Sequence, residues 1–225
     1  MISEYDDFMD NKNIDKVISI LKKEVKRLRV PIVTEVSWDK NPFHVLISCI
    51  LSLRTKDATT AKAFERLNKL ADTPQKMVKL STKQIEKAIY PVGFYKTKAK
   101  RIKEMCGVLI EDYKGRVPDD IDELLKLKGV GRKTANLVVA LGYGGDGICV
   151  DTHVQRISNR LGYVKTKNPY ETEMALRRKL PKKYWIIYND LLVAWGQNIC
   201  VPISPWCSRC AIRKYCRRVG VVRSR

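Results

Sequence analysis

The sequence has no run of eighteen apolar residues, the length a membrane-spanning helix needs. Its opening, MISEYDDFMD, is acidic and lacks a basic-then-apolar leader, so no secretion signal is read. Both absences favour an intracellular protein with no membrane partner. Acidic residues are scarce, 24 against 44 lysines and arginines, leaving a net charge of +20. A surplus of that size gathers a polyanion around the protein. A solvated basic surface without a ligand, or an amphipathic membrane anchor, would give the same total. The lysines are spread over many helical stretches rather than along one anchor, and this favours nucleic acid.

Strand patterns are also missing. The stretch GICV (147–150) is the one candidate, and it is too short to carry a sheet. No low-complexity linker and no internal repeat divide the 225 residues, which suffice for one large or two small domains. The seven cysteines are an odd number in a chain read as having no leader, which argues against a disulfide framework. Cys49, Cys106 and Cys149 stand alone in apolar runs and are expected to be small core residues.

What is present reads as helix after helix. Ile14, Ile18, Leu21, Val25 and Leu28 recur at helical spacing. Asn41–Pro42, Thr73–Pro74 and Asn168–Pro169 each place a cap before a first-turn proline. Ser81 with Gln84, and Asn168 with Glu171, have capping-box spacing. Further helices are expected over residues 95–113, 120–127, 132–143, 151–162 and 182–196. The fold class is therefore all-α with short connections. The glycine-rich GYGGDG (142–147) is the best boundary between domains.

Two local patterns carry chemistry. In LKLKGVGRKTANLVV (125–139), Gly129, Val130 and Gly131 separate two helical stretches. Both glycines can take positive φ, which would let one helix stop and the next begin at once. Backbone N–H groups left unpaired there, with those of Arg132 at the next helix start, would suit a phosphate oxygen. A plain tight link between packed helices is the competing reading. A nucleotide-hydrolysing phosphate loop is excluded, since no strand precedes it and Arg132, not glycine, stands before Lys133. In the second pattern Cys200, Cys207, Cys210 and Cys216 read C-x6-C-x2-C-x5-C. Four thiolates this close signal a metal, and their spacing admits zinc or a [4Fe–4S] cluster.

Taken together, LKGVGRKTA, the VDTH beginning at Val150 and the four-cysteine tail resemble the helix-hairpin-helix DNA glycosylases. The branch they resemble is that of endonuclease III. The resemblance runs from about NPFHVLISCILS to Cys216. It implies two interleaved helical domains with a DNA cleft between them. One, residues 35–145, is a six-helix barrel carrying the helix-hairpin-helix. The other, residues 1–34 and 146–225, ends in an iron–sulfur cluster loop. It also implies a [4Fe–4S] cluster on the four cysteines, zinc being the alternative. The partner implied is double-stranded DNA holding a damaged base. The protein is expected to act as a monomer in a prokaryotic cytoplasm, associated with the nucleoid.

On this resemblance Lys133 is the nucleophile and Asp151 the carboxylate beside it. Lysine at that position implies both base removal and strand cleavage, because relatives that only remove the base carry other residues there. An uncharged amine is required, and lysine's ordinary pKa is ~10.4. Arg132, Lys128 and partial burial against apolar helices are expected to lower it. By residue type alone, Lys133 would be a phosphate contact and Asp151 a helix cap. Arg54, where the family has glutamine, aligns with the residue that fills the gap left by the flipped base. Phe94 aligns with the apolar wedge. Their competing readings are a surface ion pair and a core aromatic. His44 and His153 are expected to be structural. The stretch VPISPW (201–206) lacks the basic residues that related cluster loops offer to DNA, and the charge lies instead at Arg209, Arg213, Lys214, Arg217, Arg218 and the RSR end. Alternative functions are a monofunctional mismatch glycosylase for thymine or adenine, and a non-catalytic DNA-binding scaffold.

Overall fold

Helix starts are set by side chains that take up the N–H groups a first turn leaves unbonded. The computed structural model describes residues 10–27 and 32–225. The expected helix position Leu28 and the acidic stretch 1–9 lie outside these residues. The described helices are α1 (Asn11–Glu24), α2 (Ile32–Val36), α3 (Pro42–Ser52), α4 (Asp57–Leu70), α5 (Pro74–Lys79), α6 (Thr82–Ile89), α7 (Tyr95–Tyr113), α8 (Ile121–Lys126), α9 (Arg132–Leu137), α10 (Thr152–Leu161), α11 (Pro169–Lys179) and α12 (Trp185–Asn198). Among the described residues there is no strand, and no helix is long and apolar enough to cross a membrane.

The caps fall where the residue types place them. Asn41 Oδ1 accepts from Phe43 N at 3.0 Å, and Thr73 Oγ1 from Lys76 N at 3.3 Å. Ser81 and Gln84 form a full capping box, with bonds of 3.2 and 2.7 Å. Asn168 accepts from Glu171 N at 2.9 Å, but the returning Glu171 carboxylate takes Lys167 N at 2.8 Å instead of the cap residue's own N–H. Two helices carry no strong sequence signal. In α4 the buried residues are Thr60, Ala63 and Leu67, a stripe at helical spacing but small and partly polar. The five-residue α2 buries only Ile32 and Val33.

The chain divides into two units, residues 31–147 and residues 1–30 with 148–225. In the first, α3 is the hub. Phe43 and Val45 to Leu51 are all buried, so the helix is covered all round. It packs on α2, α4, α7 and α9. Each fully buried leucine or isoleucine contributes roughly 1.5–3 kcal/mol. The last turn after α9, Val138–Gly142, widens to a π turn where a regular helix was expected.

In the second unit Ile14, Val17, Ile18 and Leu21 of α1 meet Val154, Ile157 and Leu161 of α10, Leu176 of α11, and Tyr188, Leu192 and Trp195 of α12. Val25 is only partly buried and lies in a 3-10 turn beyond α1. Hydrogen bonds from Tyr163 Oη to Asn11 Oδ1 (2.8 Å) and Tyr184 Oη to Asp15 Oδ1 (2.6 Å) tie α1 to the later chain. Cys49, Cys106 and Cys149 are buried, as their apolar settings imply.

Candidate functional site

The hairpin between α8 and α9 turns on one glycine, not two. Gly129 has φ +92°, and a Cβ there would meet Arg101 Cδ at 3.2 Å. Gly131 is extended, φ −100° and ψ 172°, and a Cβ there would meet nothing within 4 Å. The expected positive φ at both is thus corrected: Gly131 caps α9 from ordinary backbone. With no side chain, it makes no cap bond to the first turn of α9. Val130 is buried and its N–H donates to Leu127 O at 3.0 Å, so it pins the turn to the core.

Lys133 lies in the first turn of α9 and is exposed, while Thr134 to Ala140 are buried. The expected partial burial of this lysine is not met, because the buried face of the helical run begins one residue later. Its charge still reaches the buried Cys49 of α3. Burial pushes that thiol up to about 12, and Lys133 pulls it back. Asp151, in the other unit, is half-buried and caps α10. Its Oδ1 accepts from His153 N at 2.8 Å and Val154 N at 2.9 Å. His153 Nδ1 lies 3.0 Å from Arg156 Nη2.

The residues after α3 and before α7 form a second group. Arg54 and Phe94 are both exposed, Phe94 by 62%, and both hold left-handed backbone, φ +54° and +58°. The Arg54 guanidinium stands 5.6 Å from the Phe94 ring centre. This corrects the core reading of Phe94 and the ion-pair reading of Arg54: the pair is a cation facing an aromatic ring. Behind them sits Lys98, which sequence reasoning missed. It is 5% exposed, and burial pushes its pKa down to about 8. Its ammonium donates to Leu53 O (2.6 Å), Leu51 O (2.9 Å) and Thr55 Oγ1 (3.3 Å). Nothing in a chain with 44 cations marks one of them as buried.

A cavity of about 370 Å³ joins this group to the hairpin. Ile50, Leu53 and Phe94 line it with Arg54, Lys98, Arg101, Lys128 and Gly129, and no acidic side chain does. Such a surface has apolar area for a base and positive charge for its phosphates.

The four tail cysteines surround a separate cavity of about 30 Å³, lined also by Arg160, Arg213 and Arg218. Among the described residues no three His, Cys, Asp or Glu side chains converge on a point that would hold a single ion. Donors nonetheless face the sulfurs. Arg160 Nη1 donates to Cys200 Sγ and Arg218 N to Cys216 Sγ, each at 3.4 Å. The Trp195 indole N–H is buried and directed at the Cys210 thiol, and the Nε of Arg218 is buried without an acceptor. Burial pushes the Cys210 thiol up to about 11 and the Cys216 thiol upward as well. Buried donors directed at half-buried thiols fit an anionic metal–sulfur group.

Downstream, the tail is folded back. Arg225 N donates to Pro205 O and Ser208 N to Arg225 O, both at 2.8 Å, and the guanidinium groups of Arg209 and Arg225 both face the Trp206 ring.

Comparison with known proteins shows the family of the chain. Residues 47–182 match the family described as HhH-GPD superfamily base excision DNA repair protein. Endonuclease III of Thermotoga maritima is 46% identical over 192 residues, spanning 83% of this chain and 90% of that one. The structure of a non-covalent endonuclease III–DNA complex matches with TM-score 0.80 at 35% identity, over 92% of this chain and 95% of that chain. That of a trapped endonuclease III–DNA covalent intermediate, an estranged-adenine complex, matches with TM-score 0.79 at 34% identity, over 92% and 96%. On these grounds the chain belongs to the HhH-GPD superfamily of base excision DNA repair proteins.

Proposed function

We propose that the protein excises oxidised or ring-damaged pyrimidines from duplex DNA and then cuts the strand, using Lys133 and Asp151. Its family makes it a base-excision glycosylase and abasic-site lyase. The observation that carries the assignment within this chain is the placement of Lys133. It is exposed on the first turn of α9, directly after the Gly129–Gly131 turn whose backbone would hold a phosphate. A matched relative has been trapped as a covalent intermediate with DNA, the type of adduct an amine nucleophile forms.

The chemistry balances with these two side chains. With the damaged base flipped out of the stack, neutral Lys133 Nζ attacks the anomeric carbon of the sugar. The glycosidic bond breaks, and its electron pair leaves with the base, which takes up the proton that the attacking amine loses. The sugar ring opens, its oxygen taking a proton from water, and leaves a protonated imine between Nζ and the anomeric carbon. Loss of a proton from the adjacent carbon to water feeds electrons into the imine, and the bond to the 3′ phosphate breaks by β-elimination. Water then hydrolyses the imine and frees Lys133. Asp151 stabilises the positive charge that builds on the sugar during base departure. Lys133 must lose its own proton first. A seated duplex that removes water from the amine would favour that loss.

Arg54 would fill the space left by the flipped nucleotide and hydrogen-bond the orphaned base. Phe94 would enter the stack beside it. Gly129, Val130, Gly131 and Arg132 would anchor the backbone. Cys200, Cys207, Cys210 and Cys216 would hold a [4Fe–4S] cluster. Their spread around a cavity favours this over zinc, which needs its sulfurs about 2.3 Å from one point. When bound, the cluster supplies metal–sulfur bonds that fix residues 200–216. Arg160, Trp195 and Arg218 would donate toward its sulfurs.

The testing assay uses one duplex with a thymine glycol and another with a mismatch, without alkali treatment. Base release with strand cleavage on the first supports this reading. Release alone indicates a monofunctional enzyme, and neither product indicates a binding protein.

A further inference from the structure

We infer that Lys98 is a positioning residue that holds Arg54 and Phe94 in one DNA-opening unit. The inference rests on the wedge role proposed for those two residues. Lys98 extends from α7 into the loop after α3, and its three N–H bonds all point at that loop. Two acceptors, Leu51 O and Leu53 O, are carbonyls at the end of α3, where intrahelical partners run out. The third, Thr55 Oγ1, also accepts from Gly93 N at 3.1 Å. One hydroxyl therefore joins the ammonium, the Arg54 loop and the Phe94 loop.

The two loops are fitted closely. A Cβ on Gly93 would meet Arg54 O at 2.6 Å, a backbone atom that has little room to yield. Arg54 and Phe94 are both non-glycine residues in left-handed backbone, which is strained and persists only when neighbours enforce it. Among the described residues no carboxylate pairs with Lys98. A buried, uncompensated charge destabilises a fold. Here it is directed at the one segment whose backbone must stay strained to present Arg54. Burial opposes the charge, and the ammonium is met by three acceptors.

The test combines Lys98→Met, Lys98→Arg, Arg54→Ala and the double variant Lys98→Met/Arg54→Ala. Each is assayed in single turnover on a lesion opposite adenine and opposite guanine. Arg54→Ala is expected to slow excision about tenfold and to change the ratio of the two rates. Lys98→Met is expected to do the same, and Lys98→Arg to recover most of the loss. The double variant is expected to be no slower than the slower single, because both act through one element.

Multiplied losses, about a hundredfold in the double variant, would overturn the positioning role while leaving the wedge intact. Wild-type rates and an unchanged ratio for Arg54→Ala would overturn the wedge itself, and this inference with it. If Lys98→Met does not fold, Thr55→Val serves in its place. It removes the shared hydroxyl and spares both carbonyl bonds. Its loss must likewise fail to multiply with that of Arg54→Ala.

Discussion

A pair of substitutions can separate the helix-capping role of Asp151 from the catalytic role proposed for it. Its Oδ1 accepts two of the N–H groups at the start of α10, at 2.8 and 2.9 Å. Asp151→Asn would retain that oxygen, and asparagine caps helices about as well as aspartate. The charge at the helix N-terminus is lost, worth about 0.3–1 kcal/mol. Asp151→Ala removes the cap as well and costs ~1 kcal/mol. For a chain of this length that lowers the melting temperature by about 2–4 °C. Base excision should respond differently. Losing a preorganised group at the site of developing charge costs about 10²–10³ in rate, and both variants lose the carboxylate. The expectation is therefore a stable Asp151→Asn protein that binds lesion DNA normally and excises very slowly. Asp151→Ala should be similarly slow and less stable. Single-turnover excision, anisotropy binding and thermal melts measure the three quantities. Near-wild-type excision by Asp151→Asn would refute the catalytic role, as would losses in binding that match those in rate.

Further expectations concern the hairpin, the cysteines and salt. Gly129→Ala is expected to lower stability by about 1 kcal/mol or more, since its φ is +92° and Arg101 is close. Gly131→Ala has open space, so thermal melts should show little change; weakened DNA binding there would identify its N–H region as the phosphate contact. Cys210→Ser is expected to abolish a brown, blue-absorbing chromophore present in wild-type protein at about four irons per chain. A colourless, zinc-loaded wild type purified without oxygen would contradict the cluster. Binding should weaken linearly in log salt, by about 0.9 per tenfold rise for each phosphate neutralised. A slope near zero would contradict a phosphate-anchored complex.

Much of the fold could be read from caps and spacing. The Ser81–Gln84 box and the Asp151 cap follow from local residue types, because a cap bond involves neighbours in sequence. Helix α4 was missed because its buried face is Thr60, Ala63 and Leu67, which makes a faint apolar stripe. Lys98 was invisible for another reason. Its burial depends on acceptors 43 to 47 residues away, and a lysine in a basic chain announces nothing locally. The exposure of Lys133 and the left-handed backbone at Arg54 and Phe94 are likewise products of tertiary packing. The cysteine spacing signalled a metal, but that the four thiols line one cavity follows from how the tail folds and not from their spacing.

The central claim is that the Lys133 amine becomes bonded to the sugar of the damaged nucleotide. Borohydride reduction during turnover on a lesion duplex, followed by mapping of the cross-linked peptide, tests it most directly. The account predicts a single adduct on Lys133 and no trapping by Lys133→Ala. An adduct that persists in Lys133→Ala, or one that maps to another lysine in the wild type, would contradict it.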